Sequence, residues 1–334
     1  MTENGHRNIH LTLAINDSDQ VRDIVTGLVP VAGVDLTCLL LEVEEIFFRF
    51  TRHKEWDVSE LSFAKYCSLR AQGDQSMVAI PVFPSRSFRH SAIYVRHDGP
   101  VDDPSALLGA RIGVPEWTVT ATVYARALLE HEYGVALRDV SWVQGGTNEP
   151  GRVETLPVNV PDGIAIRPER DRSLNDLLIG GDVDAVIAPH PPTGFTDGSG
   201  QIVRLFSDVA AVEEQYYQRT KIFPIMHVVV VRADVHERYP WVALNLYTAF
   251  EAAKNRSLQR MLDANAPRTP VPLAAAHANN IRAVFGPDLW PYGVEPNVTT
   301  IAAFIKYAVE QGVCERSLAP EELFVPQARE FFRV

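Results

Sequence analysis

Two short stretches of this chain combine donors and cations in an order that suits a small anion. In Glu116-Trp117-Thr118-Val119-Thr120, an acid, an indole and two hydroxyls stand between an apolar run and a long helical pattern. The first turn of a helix leaves backbone N–H groups unpaired and carries a partial positive charge, so such a junction binds carboxylates. Thr118 and Thr120 add hydroxyl donors, and Trp117 offers a flat face to a ring. A plain Thr cap above a buried indole is the structural alternative. In Ser85-Arg86-Ser87-Phe88-Arg89-His90-Ser91, Arg86 and Arg89 each present a planar fork able to hold a carboxylate through two N–H···O bonds, with His90 and three serines beside them. Two forks suit a dianion, and a solvated basic loop is the alternative.

The candidates for proton transfer are His190, His227, Glu116 and Glu42. His190 follows the apolar run Val183 to Ala188, at the kind of strand-end loop that meets ligands, and Pro191-Pro192 stiffens it. His227 lies in the β-branched run Ile225 to Val231, where a lone histidine is also an ordinary core residue. Glu42 ends the apolar run Val34 to Leu41 and has helix capping as its other role. Which group is acid and which is base stays open. Trp142, with Gly145 and Gly146 after it, is a candidate for a cleft wall. No H-E-x-x-H or close histidine pair occurs, and Cys38, Cys67 and Cys314 are too scattered for zinc-type spacing, so no metal site is expected. There is no phosphate loop, no G-x-G-x-x-G after a strand and no G-x-S-x-G elbow, so nucleotide binding and hydrolase chemistry are disfavoured.

The elements that must position these groups alternate between strand and helix patterns. Ile9 to Ile15 reads as a strand, followed by a helix over about Asp19 to Leu28. Val34 to Leu41 has the continuous apolar pattern of a strand buried on both faces, and Val43 to Thr51 is helical. Asp57-Val-Ser-Glu60 has capping-box spacing and opens a helix carrying Leu61, Ala64, Tyr66 and Leu69. Strands follow at Met77 to Val82 and Ile93 to Arg96. A second unit has a strand at Ala110 to Val114, a helix from Thr118 to Tyr133, and strands at Val140 to Val143 and Val183 to Ala188. Ile225 to Val231 then returns the chain, with helices at Pro240 to Leu262 and about Thr299 to Gln311. Such alternation implies α/β architecture with mostly parallel sheets flanked by helices. The expected division is residues 1–95 plus 225–334 as one lobe and 96–224 as the other, with a ligand cleft between them.

At 334 residues, 46% apolar and 22% charged, the chain is long enough for about two domains with real cores. Its net charge of −11 argues against nucleic acid and anionic membranes as partners. No run of about 18 apolar residues occurs and the amino terminus lacks a signal-peptide pattern, so a cytoplasmic location is expected. A homo-oligomer is the expectation for an enzyme of this size.

The order LLGARIGVPEWTVTATVYARALL, LLIGGDVDAVIAP, FPIMHVVVVRADV resembles the type II periplasmic-binding-protein fold, a two-lobed clamp. Within it, RIGVPEWTVTATVYARALL, GGTNEPGR and FPIMHVV resemble the 4,5-dihydroxyphthalate decarboxylase family. That resemblance implies cofactor-independent release of one carboxylate as CO2 from an aromatic dicarboxylate, leaving a dihydroxybenzoate such as protocatechuate, and it strengthens His227 as a site residue. The competing reading is a non-catalytic protein that binds or senses a small aromatic carboxylate. A third is a biosynthetic enzyme of the same fold.

Overall fold

The computed structural model describes residues 8–326 apart from 267 and 269. The first lobe opens with β1 (Ile9–Ile15), α1 (Asp19–Val25), β2 (Val34–Leu40), α2 (Val43–His53), β3 (Val58–Ser62), α3 (Phe63–Ala71) and β4 (Met77–Ile80). The second holds β5 (Ile93–Arg96), β6 (Arg111–Val114), α4 (Thr120–Tyr133), β7 (Ser141–Gln144), β8 (Ala165–Pro168), α5 (Leu174–Gly180), β9 (Ala185–Ile187), α6 (Thr193–Thr196), β10 (Ile202–Arg204) and α7 (Val209–Thr220). The chain returns with β11 (His227–Arg232), α8 (Ala233–Arg238), α9 (Trp241–Leu262), α10 (Ala274–Phe285), α11 (Val298–Glu310) and α12 (Pro320–Leu323).

Each lobe is built on one sheet. The first has the order β2-β1-β3-β11-β4, with β1 parallel to β2 and β3 and the returning β11 antiparallel to both of its neighbours. The second has the order β10-β5-β9-β6-β7-β8, with β9, β6, β7 and β8 parallel and β5 antiparallel to β9 and β10. The expected lobe boundary at 95 falls inside β5, which belongs to the second sheet from Ile93 onward. Residues 1–7 and 327–334 of the expected first lobe lie outside the described residues.

Two local expectations are overturned. The run from Val34 is not buried on both faces: β2 is an edge strand, and its residues alternate between shielded and open positions. Asp57 to Glu60 does not open a helix. Val58 to Ser62 is a strand near the middle of the first sheet with all five residues buried, and the helix starts at Phe63, where the Ser62 hydroxyl accepts the Lys65 N–H. The polar residues of this strand are tolerated inside because they are paired: the Ser59 hydroxyl donates to the Glu60 carbonyl, and the Glu60 carboxylate accepts the Asn16 N–H.

The two crossings between lobes run side by side. Arg86 and Ile225 form an isolated antiparallel bridge, flanked by Met226 N–H to Ser85 O at 2.9 Å and Ser87 N–H to Pro224 O at 3.2 Å. Arg86 is spent on this hinge and does not face a ligand. Its fork donates to Phe223 O, Pro291 O and Asn297 Oδ1 while lying between the rings of Phe83 and Phe223. Thr120 is likewise a lobe contact rather than a substrate donor. Its Oγ1 lies 2.9 Å from the Ser62 hydroxyl and accepts the Ala64 N–H at 3.0 Å, so it satisfies the first turn of α3 from across the interface. Thr120→Val keeps the shape but leaves that N–H buried and unpaired. It is expected to lower stability by about 1–3 kcal/mol in urea unfolding.

Candidate active site

The register of β11 against β3 pairs Val229 with Glu60, so His227, two residues earlier, points to the same face as Glu60. The His227 Nδ1 lies 2.6 Å from one oxygen of the Glu60 carboxylate, and the other oxygen accepts the Asn16 N–H at 2.9 Å, just beyond the end of β1. Glu60 is buried, while the His227 side chain keeps 18% of its surface open. The edge of Phe47, on α2, meets the imidazole at 4.9 Å between centroids.

Arg89 is part-exposed and contacts the residue that leads into β11. Its Nε points at the sulfur of Met226, the residue before His227, at 3.1 Å. Among the described residues no carboxylate lies within 4.0 Å of its guanidinium. Burial pushes its pKa down to about 10, with Glu213 the strongest opposing influence. Further cations come from both lobes. Lys65 of α3 reaches across to the Glu116 carboxylate at 3.4 Å, and Arg152 holds the same carboxylate through Nη2 at 2.7 Å and Nε at 2.9 Å. Glu116 is buried, which alone would favour its neutral form, but Lys65, Arg152 and the Thr155 hydroxyl outweigh burial and keep its pKa below the ordinary value.

The lobes also meet at the mouth of this space. His190 Nε2 lies 3.0 Å from Glu44 Oε1. Hydrogen bonding to His190 holds the Glu44 carboxyl down to about 2, and the same bond raises His190. Glu44 and Phe47 share a face of α2 at i,i+3 spacing, so His190 and His227 approach that helix from opposite lobes. Arg89 and Arg152 are close enough to His190 to oppose its protonation.

This chain is 38% identical over 327 residues to a 4,5-dihydroxyphthalate decarboxylase of Comamonas testosteroni, covering 98% of this chain and 99% of the relative. A second 4,5-dihydroxyphthalate decarboxylase, from Pseudomonas putida, is 39% identical over 212 residues, or 63% of this chain and 82% of its own length. The chain belongs to the 4,5-dihydroxyphthalate decarboxylase family. Among solved structures it is similar to the periplasmic aliphatic sulphonate binding protein SsuA from Escherichia coli, with a TM-score of 0.54 at 11% identity over 95% of this chain and 97% of the other. The desulfurization enzyme DSZB gives a TM-score of 0.53 at 15% identity over 96% and 97%. These likenesses show the two-lobed periplasmic-binding-protein-like fold. No family model matches the chain.

Several expected site residues have other roles in this family member. Trp117 is buried, donates its indole N–H to Gln311 O at 2.8 Å, lies under the Arg126 guanidinium and meets Trp142 edge-on. Trp142 donates to Leu137 O at 2.9 Å, so both indoles are core and neither is free to stack on a ligand. The anion site at the start of α4 exists, but Glu154 fills it: its carboxylate accepts from the Trp117 and Thr118 N–H groups and from the Thr118 hydroxyl. His90 is buried between Phe206 and Tyr216, and burial pushes its pKa down to about 4, so it is a neutral core residue at physiological pH. Glu42 is exposed at the cap position of α2, with no capping bond from its side chain. Gly146 sits in a turn so tight that a Cβ would lie 1.7 Å from Glu149 O, which serves the loop rather than a ligand.

The structure thus gathers His227, Arg89, His190 and Glu116 of the expected set and adds Glu60, Glu44, Lys65 and Arg152. Glu60 is hidden in the sequence because D-V-S-E matches a capping box. Arg152 had a visible signal, as the last residue of GGTNEPGR.

Two predictions follow from the charges. Arg89 and Arg86 are both arginines of one crossing, yet their replacement by methionine should act oppositely. Arg89→Met removes a part-exposed cation that no carboxylate of the described residues meets within ion-pair distance, and is expected to raise the thermal midpoint of the ligand-free protein while weakening aromatic dicarboxylate binding at least tenfold. Arg86→Met strands three buried acceptors and is expected to lower that midpoint.

The His190–Glu44 contact is a pH-sensitive tie between the lobes. The raised His190 contributes fully below its ordinary value of 6.5 and loses its contribution as pH climbs through the raised value; Glu44 contributes above its ordinary 4.5 and loses it as pH falls toward about 2. Both groups are largely exposed, so the pair is worth about 0.2–1 kcal/mol. The radius of gyration of the free protein should rise from about pH 6 to pH 9, and His190→Ala should flatten that rise.

Proposed function

We propose that this protein removes one carboxylate of 4,5-dihydroxyphthalate as CO2, leaving 3,4-dihydroxybenzoate, and that its own side chains carry the proton transfers. The observation that supports this reading is the Arg89 guanidinium, which meets no carboxylate of the described residues within ion-pair distance, packs against Met226 next to His227 in the chain, and is near enough to His190 to oppose its protonation. An anion bound there would lie in the part of the cleft that His190 faces.

In this reading Arg89, Arg152 and Lys65 hold the two carboxylates. Glu116 keeps its negative charge, so it orients Lys65 and Arg152 rather than giving up a proton. The hydroxyl para to the departing carboxylate lends its proton to the neutral form of His190 and feeds electrons into the ring. The imidazolium of His227 gives the Nε2 proton to the ring carbon bearing that carboxylate, forming a C–H bond. The C–C bond then breaks, its electron pair restores aromaticity, CO2 departs, and the hydroxyl regains its proton. One proton is consumed per turnover, and solvent returns it to His227. Closure of the lobes excludes water and strengthens the charge contacts. The same reading keeps a cytoplasmic setting and a homo-oligomeric assembly as expectations for cell fractionation and light scattering.

The test is to mix purified protein with 4,5-dihydroxyphthalate and follow the ultraviolet spectrum together with CO2. Turnover is expected, with kcat falling about 10²–10⁴-fold in His227→Gln. A thermal shift with the same compound but no CO2 would support the binding-protein reading instead.

A further inference from the structure

We infer that Glu60 is a positioning residue for the reaction, holding His227 with its proton on Nδ1 so that Nε2 alone exchanges protons with substrate. The inference rests on the assignment of His227 to proton transfer and adds to it a residue that touches no substrate.

The geometry is directional. With Glu60 as a carboxylate acceptor, the 2.6 Å contact assigns the hydrogen to Nδ1. Nε2 has no protein partner among the described residues, and His227 is part-exposed. The carboxylate is itself fixed, since its second oxygen accepts the Asn16 backbone N–H at 2.9 Å and its backbone lies in a buried strand near the centre of the sheet. The Phe47 edge sets the plane of the imidazole from the side. The ring therefore has one tautomer and one orientation before substrate arrives. When Nε2 gives up its proton, Nδ1–H remains bonded to Glu60, and the same carboxylate stabilises the imidazolium that re-forms.

A purely structural bond would show the same distance, but the sheet has little need of one. β3 and β11 are already joined along five register pairs, from His227 opposite Ser62 to Val231 opposite Val58. A carboxylate buried at 2% exposure inside a strand is a costly way to strengthen that ladder.

The experiment compares wild type, Glu60→Gln and His227→Gln in steady-state turnover of 4,5-dihydroxyphthalate. Long-range ¹H–¹⁵N spectra of the histidine rings are recorded alongside. Wild type should carry the neutral-ring proton of His227 on Nδ1. Glutamine offers either a donor or an acceptor to Nδ1, so Glu60→Gln should populate the Nε2–H form and lose about 10²-fold or more in kcat with KM little changed. A wild-type ring protonated on Nε2 overturns the inference whether or not the variant folds. So does a Glu60→Gln enzyme of normal kcat, or one whose loss comes without a tautomer change. If His227→Gln itself turns over normally, the assignment of His227 fails first, which separates the two claims.

Discussion

The crossing between the lobes carries a part-exposed guanidinium that no carboxylate of the described residues meets within ion-pair distance, and the candidate site depends on that placement of Arg89. Its Nε faces a thioether, and its strongest opposing acid, Glu213, lies beyond ion-pair distance. Among the described residues, Lys65 and Arg152 share Glu116, and His190 meets Glu44. The unmatched charge therefore points to what is meant to arrive. In the proposed reading that is a small anion entering between the two lobes.

The hinge shows how one short sequence supplies two unlike arginines. Arg86 lies in the antiparallel bridge between the crossings, where three acceptors and two aromatic rings consume it. Arg89, three residues on, has left the bridge and keeps its fork free of carboxylates. The hinge thus fixes the geometry and presents the charge in the same stretch. Ser62 and Ala64 meet Thr120 across the lobe boundary, and Lys65 meets Glu116 there too. A ligand held by residues of both lobes would stabilise that closed arrangement by its differential contacts.

Much of the fold could be read from the chain because its strands and helices announce themselves locally. The run Ile9 to Ile15, the Gly134-capped helix ending at Tyr133 and the β-branched return at Val228 to Val231 are each set by their own residues. What failed had a physical reason. β3 carries Ser and Glu at positions that become buried only because β1, β11 and the Asn16 N–H satisfy them, so no local pattern marks it as central. The anion-binding helix start at Glu116 to Thr120 was legible, but its occupant was not: Glu154 reaches it from 36 residues away in an irregular loop. Loop contacts of this kind depend on tertiary closure, which spacing along the chain does not encode. His227 and Arg89 were readable as residue types in a promising order, whereas Glu60 required the register of two antiparallel strands.

The central claim is that the cleft is built around a dianion, and calorimetry with unreactive analogues tests it most directly. Phthalate and benzoate present similar rings and differ by one carboxylate. The account predicts that phthalate binds the wild-type protein at least about tenfold more tightly than benzoate at neutral pH, a difference of roughly 1.4 kcal/mol or more. Equal affinities for the two would contradict it.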